Sequence, residues 1–562
     1  MLEGLKYMSR DEEIYFYSQN SLQLKSDNWI YTPFQNWLIK FKEKRVLIRG
    51  DEGVHSWISL VIKAMKSGPF YILEYEDDSI KLGYYHRGQI GCPLCFLEYH
   101  SSYCFNDVFD WSIIQKIFDA VQNKIRFNGL YKIWMLSSNG WRERSAFPHY
   151  QCRNCASYYV IREKKEEPLI FKGYQSLERE WNLNILKDIL EFIPINSLSP
   201  FSKKEVYKID QVFVTRIKIT GEGKVNFGIG RSFDRRQSEI IALLESLERI
   251  SLYSAFSNED AFIKSSWKQI DKAIHPDQFF AIPLSKPFYE NQKYQWMEGY
   301  SLRQGKVYVP VQFVYLESKN KSNEQRFYRA TSNGTAIGGT IKEAIIFALM
   351  EYMERNNALR AWLNKDNLVR LPLDYFIHSK EISYFIDFFT SNQKAKLLIL
   401  LTGRGVFITV WVHLTWGKYV LNSIGSGKSL EEAVLGALIE LFTGYINFRE
   451  LDQRQHQRYK VLQKKEVKVS TMEDHVLYYR EAIEDFSFLS SIPMISPSHF
   501  FKSSLITWEN LLQQLPGDVI VVDLTPSIFE VLDIPLYVVK VLIQNSYDYR
   551  VGDNSLKVHP FL

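Results

Sequence analysis

The sequence predicts a chain of α/β and α+β class: a degenerate Rossmann-like N-terminal part with zinc knuckles, then a larger part of mixed sheets and helices. Three observations predict it. A strand–helix–strand pattern runs from Arg45 to Glu74, and two C-x-x-C pairs follow it, Cys92/Cys95 and Cys152/Cys155. Beyond residue 196, glycine-containing turns lead three times into apolar helices that carry regularly spaced glutamates.

The N-terminal elements come first. Arg45 to Gly50 reads as a short buried strand, Asp51-Glu52-Gly53 as a turn, and Ser56 as a helix cap. Trp57, Leu60, Val61, Ala64 and Met65 recur at helical spacing; Gly68-Pro69 ends that helix and Phe70 to Glu74 is the next strand. This is a βαβ unit, but its turn holds only Gly50 and Gly53 and lacks the G-x-G-x-x-G spacing of a dinucleotide site, so a scaffold is expected here. Each C-x-x-C pair puts two thiolates on one tight knuckle, and two knuckles complete a tetrahedral S4 zinc site. A closed site of that kind is structural. Redox-active pairs are the competing explanation, and Cys104 is left over as a plain thiol.

Residues 161–195 read as a linker region. The charge run Arg162-Glu163-Lys164-Lys165-Glu166-Glu167-Pro168 is a solvated stretch, a Pro/Ser stretch spans Pro194 to Ser202, and the domain boundary is expected near Asn196.

The glutamate helices follow. Ala330-Thr331-Ser332-Asn333-Gly334 and the small-residue turn 336–340 open into a helix from about Ile341 to Arg360, bearing Glu343, Glu351, Glu354 and Arg355. At about 100° per residue, the three carboxylates fall within roughly a quarter-turn of one another. Ala344, Phe347, Ala348, Leu349, Met350 and Met353 predict that much of this helix is buried. Buried acids and an Arg need compensation, which divalent cations and phosphates supply. A solvated acidic edge with internal Glu–Arg pairs is the plainer alternative. The same E-x-x-E-R signature recurs at Glu245, Glu248 and Arg249, after Gly230-Arg231-Ser232. A third helix follows Gly425-Ser426-Gly427-Lys428 and passes through Glu431, Ala433, Ala437 and Glu440. Glu for magnesium and Arg for phosphate oxygens is the expected division of labour in a nucleotide site. Near the C-terminus, Asp518 to Asp523 after Pro516-Gly517 reads as a strand, as does Tyr537 to Ile543.

On these residues the chain resembles the YcaO family over roughly Asn196 to Leu562. The resemblance implies an ATP-binding domain, 196–562, that activates a backbone amide oxygen by phosphorylation. Magnesium would sit on Glu245, Glu248, Glu343, Glu351 and Glu354. ATP would contact those glutamates with Arg249, Ser332, Asn333 and Arg355. Four positions depart from the family pattern: Ile241 stands for Ser, Gly339 for Asn, Arg231 for Lys and Thr443 for Gln. The family commonly ends in a proline-alternating tail whose terminal carboxylate reaches the active site, which makes Leu562 the catalytic candidate. Only Pro560 remains of that alternation, and a frayed terminus is the other reading. Gly91-Cys92-Pro93-Leu94-Cys95 after the βαβ unit, with the second knuckle, resembles the ThiF-like domains fused to such proteins, here 1–160.

The combined resemblance looks most like the fused cyclodehydratases of thiopeptide clusters. It implies ATP, Mg2+ and Zn2+ as cofactors and a ribosomal precursor peptide as substrate. It further implies a separate leader-peptide-binding protein, because no winged-helix leader module is legible, together with an azoline dehydrogenase and a homodimer. Peptide thioamidation, and a non-catalytic scaffold with a decayed nucleotide site, are the alternatives.

Composition bounds the rest. At 562 residues the chain can hold about two to four domains. The 15% aromatic content fits extensive cores or a peptide groove, cores being the commoner use. A net charge of +5 over this length argues against a nucleic-acid binder. Met1 to Glu13 has no secretory apolar run, and stretches such as Leu397 to Leu401 are too short to cross a membrane. Five cysteines do not make a secreted disulfide framework, so a cytoplasmic protein is expected.

Overall fold

The computed structural model describes residues 14–18, 21–24, 37–41, 44–48, 70–76, 79–85, 131–137, 140–149, 155, 193–195, 199–221, 224–253, 262–280, 286–316, 325–391, 395–449, 453–463, 472–496, 508–532, 534–547 and 559–561. By internal contacts the chain divides into two compact units, Met1–Val160 with Asn182–Ser246, and Ile161–Trp181 with Leu247–Leu562.

In the first unit, β1 (Ile14–Ser18), β2 (Ser21–Leu24), β3 (Trp37–Phe41), β4 (Lys44–Ile48), β5 (Phe70–Glu76), β6 (Ser79–Tyr85), β7 (Tyr131–Ser137) and β8 (Gly140–Ala146) form one sheet in the order β2-β1-β3-β4-β5-β6-β7-β8. β4 and β5 pair in parallel, with Val46 opposite Tyr71 and Ile48 opposite Leu73. That is the pairing a βαβ unit requires. The expected helix between them, 56–68, lies outside the described residues. All other neighbours in this sheet are antiparallel.

β9 (Phe201–Ile209), β10 (Val212–Gly221) and β11 (Lys224–Ser232) make a three-stranded antiparallel sheet. Phe147, just after β8, packs on Phe201 with ring centroids 5.8 Å apart, and the His149 ring reaches the Thr220 carbonyl at 2.9 Å. Helix α1 (Arg235–Tyr253) covers the β9–β11 sheet where Thr215, Ile217 and Ile219 alternate inward, each almost fully buried. A Cβ at Gly230 would lie 1.8 Å from the Ser238 carbonyl oxygen, so glycine is what lets helix and strand touch.

In the second unit, β12 (Ile263–Ser266), β13 (Lys293–Ser301), β20 (Val519–Asp523), β21 (Tyr537–Ile543) and β15 (Thr335–Gly338) lie side by side in that order, with β14 (Gly305–Pro310) paired to β13. A second antiparallel sheet runs β16 (Val369–Leu371), β17 (Ala395–Gly403), β18 (Ile408–Trp416), β19 (Tyr419–Gly427). The remaining described helices are α2 (Ile341–Asn364), α3 (Lys380–Thr390), α4 (Leu430–Arg449), α5 (Gln453–Gln463), α6 (Met472–Tyr478), α7 (Trp508–Gln514) and α8 (Ser527–Val531). None of the described helices is long and apolar enough to cross a membrane.

Helix α2 joins the two cores of this unit. Its first half buries Ala344, Ile345, Ala348 and Leu349 against Val519 and Val521 of β20 and Val539 and Val541 of β21. Its second half buries Ala358, Leu359 and Trp362 with Leu400, Trp411 and Ile424 of the four-stranded sheet. A helix clamped on two sheets must be apolar on most sides, which is what its sequence predicts. Thr340 caps the start, its hydroxyl accepting from the Glu343 amide, and left-handed Lys365 caps the end, so the helix runs to Asn364, four residues beyond the expected Arg360. The strands expected at 518–523 and 537–543 are β20 and β21.

The third glutamate helix, α4, repeats the packing of α1. A Cβ at Gly425 on β19 would lie 2.4 Å from the Ala433 carbonyl oxygen, as Gly230 does against Ser238.

Candidate functional site

One polar stripe of α2 stays out of both cores. Glu351, Glu354 and Arg355 lie on it, all half-buried. Arg355 Nε donates to Glu351 Oε1 at 3.1 Å, one helical turn apart. To that extent the plainer expectation of internal Glu–Arg pairs is realised.

Glu354 departs from it. Desolvation in its surroundings pushes its pKa up to about 8. The carboxylate of Glu440 on α4 adds to the shift, and that of Glu351 adds less. The Arg355 charge and the Ser426 hydroxyl oppose it; Ser426, near the end of β19, donates to Glu354 Oε2 at 2.6 Å. Two strand–helix units thus meet at one carboxylate: α2 supplies it, β19 bonds it and α4 crowds it with a like charge.

These residues fit a divalent cation. A desolvated carboxylate set near neutrality gains most from a metal, which removes the repulsion and the need for a proton. Among the described residues no three His, Cys, Asp or Glu side chains converge closely enough to hold an ion by themselves. Phosphate oxygens and water would complete the sphere, as is usual for Mg2+.

Glu343 is 5% exposed and sits at the start of α2. Its Oε2 accepts the Gly339 amide at 2.7 Å, while its own amide donates to Thr340 Oγ at 3.1 Å. It therefore stabilises the helix N-terminus much as a capping box does. It stands eight residues before Glu351, about 12 Å of helix rise, so the two cannot ligate one ion together.

The segment before β15 is a tight turn. Asn333 is buried and Ser332 half-buried. The Thr335 amide donates to the Ser332 carbonyl at 2.9 Å, the Val541 amide to the Gly334 carbonyl at 2.7 Å, and Lys540 Nζ to the Thr331 carbonyl at 2.7 Å and to the Asn333 carbonyl. Gly334 has φ +74°, and a Cβ there would meet the Val541 carbonyl oxygen at 2.6 Å and Tyr352 Cδ2 at 2.7 Å. The turn is pressed between β21 and α2.

On α1, Glu245 Oε2 accepts the Ile229 amide of β11 at 2.8 Å. Glu248 and Arg249 follow about one turn later, both half-buried.

Residues 559–561 are packed, which corrects the frayed-terminus reading for them. Phe561 is fully buried and meets Trp411 edge-on at 5.2 Å. The His559 ring stacks on His475 at 4.1 Å, and its amide donates to His475 Nδ1 at 3.2 Å. Burial holds His475 down to about 4. Burial and the nearby charges of His475 and Arg355 keep His559 far below the ordinary histidine range. The tail therefore comes within electrostatic reach of the α2 stripe. Leu562 lies outside the described residues, as do Cys92, Cys95 and Cys152; Cys155 is described and buried.

Ser426, Lys540 and the His475–His559 pair are the contributors that sequence reading missed. Glu440 was legible as part of the third helix but not as a neighbour of Glu354. Of the family departures, Thr443 bonds its hydroxyl back to the Ile439 carbonyl at 3.0 Å, and Gly339 leaves only its amide beside Glu343.

Residues 229–545 match the family described as YcaO cyclodehydratase, ATP- and Mg2+-binding, a span of more than half the chain. Among solved structures, the chain is similar to a heterocyclase in complex with substrate and cofactor, with TM-score 0.66 and 17% identity over 89% of this chain and 76% of that one. It is also similar to the heterocyclase TruD, with TM-score 0.58 and 15% identity over 91% of this chain and 75% of that one. At such identities the likeness speaks for the fold. No curated protein is similar to the chain in sequence. The match and the acidic stripe of α2 lie in the same residues, and the chain belongs to the YcaO family of ATP- and Mg2+-binding cyclodehydratases.

Proposed function

We propose that the protein closes thiazoline rings on Cys residues, and oxazoline rings on Ser or Thr residues, of a ribosomally made precursor peptide. The observation that carries the proposal is the α2 stripe inside the family match, where Arg355 bonds Glu351 at 3.1 Å and the Ser426 hydroxyl bonds Glu354 at 2.6 Å. Both solved structures cited are described as heterocyclases, one with substrate and cofactor bound, which supports extending ring formation to this chain.

The substrate thiol (or hydroxyl) gives up its proton to solvent as it attacks the preceding amide carbonyl, and the carbonyl oxygen becomes an oxyanion. That oxygen takes the γ-phosphoryl group, releasing ADP. Phosphate then leaves with the former carbonyl oxygen while the amide nitrogen loses its proton, giving the C=N bond of the ring. The balance is one ATP converted to ADP and phosphate, and one water's worth of mass lost, per ring. Mg2+, when bound, would supply neutralisation of the phosphate charge during transfer. Glu351 and Glu354 would hold it on α2; Glu343, too far along the helix to share that ion, and the α1 residues Glu245 and Glu248 would be further carboxylates of the site. Arg355 and Arg249 would meet phosphate oxygens, and Ser332 and Asn333 would line the nucleotide. The buried seat of His559, Pro560 and Phe561 near Arg355 supports a role for Leu562 at the same site.

Residues 1–160 would form a ThiF-like docking domain with a structural zinc on Cys92, Cys95, Cys152 and Cys155, and 161–195 a linker to the catalytic domain at 196–562. A separate leader-binding protein would dock on the N-terminal half and tether the peptide, raising the core's effective concentration to about the millimolar range. An azoline dehydrogenase would oxidise the product, in a thiopeptide or related pathway, with the enzyme acting as a homodimer. The test is ADP release by the purified chain with Mg2+·ATP, with and without the precursor peptide and its leader-binding protein, alongside the mass of the peptide. Peptide-stimulated ADP and stepwise loss of one water are expected. An unchanged peptide mass beside normal ATP turnover contradicts ring formation.

A further inference from the structure

We propose that Lys540 is a positioning residue of the nucleotide site: its ammonium group holds the backbone of residues 331–333 from behind, so that Ser332 and Asn333 are presented in one geometry. The proposal rests on the reading above that this turn lines the nucleotide.

Lys540 lies inside the second unit's larger sheet, with β20 on one side and β15 on the other, opposite Val522 and Thr335. It is 3% exposed, and its neighbours Val539 and Val541 are fully buried. A charge in such a place is costly, and a methionine of similar length would fill it without desolvation. The ammonium instead donates to the carbonyls of Thr331 and Asn333, the residues on either side of Ser332. The next residue of the strand, Val541, donates to the Gly334 carbonyl. One strand therefore ties down three of four consecutive carbonyls, and the fourth, Ser332's, accepts from Thr335.

The other side of the turn rests on Tyr352 of α2, the residue between Glu351 and Met353. The Tyr352 hydroxyl is itself fixed to Ser546 Oγ at 2.6 Å. Lys540 thus sets the spacing between the turn and the helix that carries the acidic stripe. A small cleft bordered by Phe280, Tyr328, Thr331, Asn333 and Lys540 lies beside it. Without the ammonium the turn has room to sag into that cleft, and its two carbonyls lose their charged donor.

A merely structural lysine would affect stability, not nucleotide affinity in particular. The test compares Lys540→Met with Val538→Ala, a buried position on the same strand away from the turn. Each is examined for thermal melting without nucleotide and for calorimetric binding of the nonhydrolysable Mg2+·AMPPNP. Lys540→Met is expected to bind at least about tenfold more weakly than wild type, the scale of one charge-assisted hydrogen bond, while Val538→Ala stays within about twofold. If Lys540→Met does not fold, Lys540→Gln, which keeps one NH2 donor, is held to the same criterion. Wild-type affinity in the lysine variant, or equal weakening in both variants for equal loss of melting temperature, overturns the proposal. Failure of the wild-type protein to bind nucleotide instead removes the nucleotide-site reading beneath it.

Discussion

The Ser426 hydroxyl donates to Glu354 Oε2 across 2.6 Å, tying the end of β19 to the middle of α2. The bond favours the charged carboxylate, against burial and the Glu440 charge. Ser426→Ala removes that support, so the Glu354 pKa should rise further above about 8. Mg2+ must then displace a proton more often at neutral pH, and metal affinity becomes steeper in pH. The Mg2+ concentration that gives half-maximal ADP formation should rise in Ser426→Ala at pH 7 and approach wild type at pH 9. An unchanged Mg2+ requirement across that range would separate Ser426 from the metal site.

Glu354 also shapes stability in the absence of metal. Its folded pKa, about 8, is raised above the ordinary 4.5. Over that interval the native state binds more protons than the unfolded state, so the contribution is complete below pH 4.5 and is lost as pH rises through 8. In EDTA the melting temperature of wild type should therefore carry a component that falls across this window, and Glu354→Gln should lack it. Identical melting profiles for the two would show that Glu354 ionises as freely as an exposed carboxylate.

Glu351 pairs with Arg355 at partial exposure, so Glu351→Gln should fold normally. Losing one ligand charge and the partner that orients Arg355 should lower ADP formation by about two orders of magnitude. Turnover at the wild-type rate would remove Glu351 from the metal set.

At the tail, Phe561→Ala empties a fully buried site against Trp411 and should cost about 3 to 5 kcal/mol if the cavity stays open. If the tail serves the site as well as the core, ADP formation well below the melting temperature should fall too. His475 gives a pH signature of opposite sign to Glu354. Its folded pKa, about 4, lies below the ordinary 6.5, so its contribution is present above 6.5 and is lost as pH falls toward 4. Full activity in a destabilised Phe561→Ala protein would assign the tail to packing alone.

The zinc proposal is tested without assays of turnover. Cys152→Ser should release one zinc per chain and destabilise the N-terminal part by several kcal/mol, about the scale of a structural site. Zinc-free wild-type protein, purified without chelator, would contradict it.

Much of this was legible in sequence because the signals were local. The E-x-x-E-R helices announced α1 and α2, and continuous apolar runs announced β20 and β21, since a strand buried on both faces needs no alternation. The parallel β4–β5 pair followed from the strand–helix–strand spacing. What stayed hidden depends on partners far apart in the chain. Ser426 reaches Glu354 only because β19 packs beside α2. Lys540 reads as one polar residue in a hydrophobic strand until the turn at 331–334 is laid across it. The final Phe561 looks like a loose end until Trp411, on β18, supplies its seat. Glu343 shares its direction around the helix with Glu351 and Glu354 but stands eight residues away along the axis, where it caps the helix start.

The central claim is that ATP phosphorylates the amide oxygen as the ring closes. It is tested most directly by placing 18O in the carbonyl that precedes a cyclising Cys of the precursor peptide and reading the released phosphate by mass spectrometry. The account predicts one 18O in one phosphate for each ring formed and each ADP released. Unlabelled phosphate, with the 18O retained in the peptide or lost to water, would contradict it.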